Sequence, residues 1–150
     1  MENRNALGIH LGNNVSVLSV SPIEADHLSM ERIIAAEGCR LRKAGSLAAA
    51  WSNLRDHDIG VVVCERDVKP GTWVDMLEHL TQWPNPPSLI VTSRLADERL
   101  WSEALNLGAW DVLAKPFDRI EVLRSVKSAW NHWFHRFDSA SSTRTIAAAG

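Results

Sequence analysis

The chain has 150 residues, 45% of them apolar and 23% charged, which suits one domain with a continuous core and excludes a largely disordered protein. Its net charge is −2, with bases scattered among acids, so no concentrated basic face is available to nucleic acid. No run approaches the roughly 20 apolar residues of a spanning helix, and the polar start Met1-Glu-Asn-Arg-Asn leads into no signal-peptide core, so the expected setting is cytoplasmic and away from membranes.

Residues 1–14, rich in Asn and Gly, carry no periodic signal and are expected to be a flexible segment ahead of one domain over 15–137. Val15 to Val20 is a β-branched run that reads as a buried strand. Met30, Ile33 and Ile34 then recur at i, i+3 and i+4, with Ile23 one heptad earlier, and predict a helix. Cys39 to Lys43 is a weaker strand of the kind found at a sheet edge; Cys39 and Cys64 themselves read as small buried hydrophobes, too few for a disulfide framework or a metal cluster. Ser46 is an N-cap candidate for a helix with Leu47, Ala50, Trp51 and Leu54 on one stripe. Val61 to Cys64 is the next strand, and Trp73, Met76, Leu77 and Leu80 give a helix ended by Pro84.

Leu89 to Thr92 reads as a strand, followed by a helix with Asp97 and Glu98 in its first turn, the stripe Leu100, Ala104 and Leu107, and Gly108 as its stop. Val112 to Ala114 is the last strand. The final helix carries Val122, Leu123, Val126, Ala129, Trp130, Trp133, Phe134 and Phe137, a wider apolar surface than one core-facing stripe needs. From Asp138 the composition turns polar, and 138–150 is expected to be a disordered tail.

Five strands each followed by a helix predict an α/β fold: a doubly wound, five-stranded parallel sheet with right-handed crossovers and strand order 2-1-3-4-5, the flavodoxin-like topology. Functional groups in such sheets gather at the carboxyl ends of the strands, so the residues just after Val20, Cys64, Val91 and Ala114 are the ones to inspect.

Those residues carry a family likeness. Gly108-Ala-Trp-Asp-Val-Leu-Ala-Lys115-Pro116-Phe117, Leu89-Ile-Val-Thr92-Ser93 and Val17-Leu-Ser-Val-Ser21-Pro22-Ile-Glu24-Ala-Asp26 together resemble a response-regulator receiver domain over about residues 15 to 136. The resemblance implies two-component or phosphorelay signalling, with an aspartate after the third strand as phosphoryl acceptor, acids after the first strand holding Mg²⁺, and a hydroxyl and a lysine on the phosphoryl oxygens. Thr92 and Lys115 match the last two. The acidic pair, however, falls on Ser21 and Pro22, which offer no carboxylate, and Glu24 and Asp26 read as helix-start acids that favour the dipole. No metal or other cofactor is therefore expected. The acceptor position falls on Glu65, with Asp67 as fallback; counting back from Pro70 would instead land on Arg66, so Glu65 requires a one-residue shift in the turn. Val112 stands where the family's switch aromatic would be.

The expectation is thus a degenerate, non-enzymatic pseudo-receiver that is not phosphorylated and acts on a protein partner, a sensor kinase or a downstream signalling protein. A working acceptor using Asp67 or the acids beside Glu65 with Mg²⁺ is the alternative. A flavodoxin-like cofactor enzyme is disfavoured, because Ser21-Pro-Ile-Glu-Ala-Asp would repel a phosphate. Trp101, Trp110, Trp130 and Trp133 fall on the fourth helix, fifth strand and fifth helix, and suggest a partner or homodimer interface there.

Overall fold

Five parallel strands form the central sheet: β1 (Ser16–Val20), β2 (Arg40–Ala44), β3 (Val61–Glu65), β4 (Ser88–Ser93) and β5 (Asp111–Ala114). Their order is β2-β1-β3-β4-β5, the expected doubly wound arrangement. The computed structural model describes the backbone of residues 14–149 and the side chains of residues 14–136; of the expected segment 1–14, all but Asn14 lies outside that range. The central strands β3 and β4 are buried along their whole length, while β2 alternates exposed Arg40, Arg42 and Lys43 with the core, as an edge strand can.

Helices cover both faces. Helix α1 (Glu24–Ala35) and α5 (Arg119–Ala149) lie on one, and α2 (Leu47–Asp56), α3 (Trp73–Leu80) and α4 (Glu98–Leu107) on the other. Two apolar clusters result. Met30, Ile34, Val61, Val63, Ile90 and Val126 belong to the first, and Leu18, Val62, Cys64, Trp73, Met76 and Leu89 to the second. Alternate residues of each strand feed opposite clusters, because successive strand side chains point to opposite faces.

The helix ends follow local chemistry. Ser46 Oγ accepts from the Ala49 amide and Asp97 Oδ1 from the Leu100 amide, each satisfying a donor left free at a helix start. Gly108 closes α4 with φ +113°, a left-handed conformation in which a side chain would be strained. Two apolar residues assigned to core stripes are instead exposed. Ile23 precedes α1 with extended backbone, so the helical phase does not reach it, and Leu107 sits in the last turn of α4.

One element has no counterpart in the sequence reading: a two-residue antiparallel hairpin, Asp67–Val68 against Gly71–Thr72, between β3 and α3. It buries Val68 and ends in a capping box, where Thr72 Oγ1 accepts from the Val74 amide and Asp75 accepts from the Thr72 amide at 2.8 Å. The backbone of α5 also continues as helix through Ala149, across the stretch read as a tail from residue 138. Extending an existing helix adds one hydrogen bond per residue fixed, so weak formers such as Ser and Thr can be carried along.

Candidate functional site

The carboxyl ends of β1, β3, β4 and β5 converge on one buried ammonium group. Lys115 follows β5, and its amide donates to the Ser93 carbonyl at 3.1 Å, which seats it beside the end of β4. Its Nζ lies 2.8 Å from Asp26 Oδ2 and 2.8 Å from Glu65 Oε1, with only 5% of the side chain exposed. Hydroxyls complete both carboxylates: Ser21 Oγ donates to Asp26 Oδ2 at 2.6 Å, and Thr92 Oγ1 donates to Glu65 Oε1 at 3.2 Å. One cation is thus shared by two acids, each charge hydrogen-bonded, as burial requires.

The two candidate acids that follow Cys64 at the end of β3 sit differently. Glu65 is the last residue of that strand, paired directly with Thr92 of β4, and it enters the cluster. Asp67 does not. It begins the hairpin, its side chain is half exposed, and its Oδ2 accepts from Arg66 Nε at 3.2 Å and Nη2 at 3.0 Å. The hairpin begins there, and at its base the Arg66 carbonyl accepts the Trp73 amide at 2.9 Å.

Asp26 is the helix-start acid expected and makes a further contact that its position in the sequence does not reveal. It lies in the first turn of α1, but it is buried and faces Lys115, whereas Glu24 is exposed. Ser21 takes part as a donor to Asp26, and Pro22 is exposed and contributes no polar side-chain group. His27, which no sequence signal singles out, is buried beside the Ser21 backbone. Its Nε2 donates to the Ser21 carbonyl at 2.9 Å, and its Nδ1 is 3.0 Å from Ser19 Oγ, so it ties the start of α1 to the end of β1.

Burial by itself would lower the pKa of Lys115. The hydrogen bonds and charges of Asp26 and Glu65 outweigh it and hold the ammonium above its ordinary value. Among the described residues no group of three or more His, Cys, Asp or Glu side chains is arranged to hold a metal ion. Burial pushes the Cys39 thiol up to about 12 and the Cys64 thiol higher still, so neither is a thiolate nucleophile near neutral pH.

The four tryptophans do not line a single patch. Trp101 is 49% exposed on α4. Trp110 is half-buried and stacks on His132 with ring centroids 4.6 Å apart. Trp130 and Trp133 turn instead to the start of β3, where they lie against Gly60.

Residues 24–127 match the family described as response regulator receiver domain. Over 100 residues the chain is 27% identical to the transcriptional regulatory protein DpiA of Escherichia coli (strain K12), covering 65% of this chain and 44% of that protein. It therefore spans less than half the length of this curated relative. The fold is similar to the signal receiver domain of an HD domain-containing protein from Pseudomonas fluorescens Pf-5, with TM-score 0.75, 19% identity, and coverage of 83% of this chain and 92% of that one. It is similar also to full-length FixJ from B. japonicum, with TM-score 0.75, 20% identity, and coverage of 91% and 67%. With the sheet order, the lysine after β5 and the match over most of its length in agreement, the chain belongs to the response regulator receiver domain family.

Proposed function

We propose that this receiver acts in two-component signalling as a protein-interaction module whose state is set by its own side chains and not by a phosphoryl group. The observation that carries this reading is the double pairing of Lys115 with Asp26 and Glu65, with the Thr92 hydroxyl already on Glu65. The lysine and hydroxyl that would stabilise an incoming phosphoryl group are thereby satisfied from within. Glu65 has one methylene more than the aspartate the family uses, and its Oε1 rests on Lys115, so attack on phosphorus would first have to break that pair.

The residues present do not fit Mg²⁺ well. That ion wants near-octahedral oxygen ligands, and Ser21 and Pro22 stand where acids would help supply them. The remaining acids, Asp26 and Glu65, each turn one oxygen to an ammonium group that would repel a divalent cation. No catalytic turnover is assigned. The partner is a protein, a sensor kinase or a downstream signalling component in the cytoplasm, and the surface of α4, β5 and α5 with exposed Trp101 is where such a partner or a second copy would dock.

The test is incubation of the purified chain with acetyl phosphate and Mg²⁺, read by intact mass. The mass should not change, and Mg²⁺ should give no saturable change in tryptophan fluorescence. An acid-labile adduct mapped to Glu65 or Asp67 would replace this reading with a working phosphoacceptor.

A further inference from the structure

At the end of the sheet opposite Lys115, a cavity of about 320 Å³ opens between the starts of β1, β2 and β3 and the outer part of α5. Trp130, Trp133 and Phe134 form its aromatic wall. The two tryptophan rings are 4.9 Å apart and inclined at 39°, and Phe134 stacks on Trp130 at 6.4 Å. The wall is fixed from behind. A Cβ at Gly60 would fall 2.5 Å from Trp130 and 2.8 Å from Trp133, so the missing side chain is what lets the rings seat against β3. Trp133 Nε1 also donates to the Asn85 carbonyl at 3.2 Å. Phe134 is 48% exposed at the edge of the wall.

Arg40 and Asp58 line the same cavity from the β2 and β3 sides, and both are exposed. Neither joins an ion pair among the described residues. Aromatic faces attract an organic cation, most strongly a quaternary ammonium group, and a neighbouring carboxylate adds to that attraction. A guanidinium is the side chain best matched to a carboxylate, which it can take in a two-pronged hydrogen bond. A simple cation would be opposed by Arg40, and a simple anion by Asp58. The complement of both together is a molecule carrying both charges.

We propose that this cavity binds a small zwitterion of the betaine or amino-acid class, its ammonium group against Trp130, Trp133 and Phe134 beside Asp58 and its carboxylate on Arg40. The size fits, since 320 Å³ is at the lower end of the range for small-molecule sites. The site is separate from the Lys115 cluster and does not depend on how that cluster is read.

The experiment is calorimetric and tryptophan-fluorescence titration of the full chain with glycine betaine, with choline and acetate as the two half-ligands. Betaine should bind saturably in the millimolar range, at least about fivefold tighter than either half-ligand. Asp58→Asn and Arg40→Gln should each weaken it by about fivefold or more while leaving the circular dichroism spectrum and urea midpoint unchanged, because both side chains are exposed. Absence of saturable binding, choline binding as tightly as betaine, or equal affinity in both variants would overturn the proposal.

Discussion

Lys115 Nζ lies 2.8 Å from each of two largely buried carboxylates, so its removal leaves two like charges facing each other. Lys115→Ala should cost about 3–5 kcal/mol in urea unfolding, the usual penalty for orphaning a buried charge. Asp67→Ala should stay within about 0.5 kcal/mol, since its pair with Arg66 is on the surface. Titration makes a second prediction at this scale. The Lys115 pKa is raised above its ordinary 10.5 in the folded chain, so between those values the folded state holds more protons than the unfolded one. The stabilisation is complete below 10.5 and is lost as pH rises through the folded value; Lys115→Met should flatten that alkaline fall in the urea midpoint. His79 behaves oppositely. Burial lowers its pKa from 6.5 where it stacks on Trp51 at 3.8 Å, so the unfolded chain takes up the proton first and stability drops as pH falls below 6.5. His79→Gln should remove that part of the acid limb.

Helices and strands here are positioned by small residues as much as by large ones. Gly60 carries the aromatic end of α5, and Gly60→Ala would force Trp130 and Trp133 off the start of β3. The expected cost is about 1–3 kcal/mol by thermal melting, with a shift in tryptophan emission. Local chemistry was a good guide to the element ends: Ser46 and Gly108 cap their helices as expected, while Asp97, expected within the first turn of α4, is its N-cap. Sequence periodicity missed the hairpin between β3 and α3, because two-residue strands have no period to detect.

At the scale of the whole molecule, one sheet separates two apolar clusters, so each face depends on the other through shared strands. Ile34→Val on one face and Ile59→Val on the other should each cost about 0.5–1.5 kcal/mol, add without coupling, and leave a single unfolding transition in urea. Two separate transitions would mean that the faces unfold independently. The alternation of apolar strands and amphipathic helices, read along the chain, was sufficient for the doubly wound sheet, because burial on both faces and right-handed crossovers leave few alternatives. The same reading placed Thr92 and Lys115 at strand ends, where position along the backbone determines location. Asp26 could not be placed that way. A side chain in the first turn of a helix faces either water or the strand ends, and only the packing of α1 on β1, with His27 holding the two together, turned that carboxylate onto Lys115.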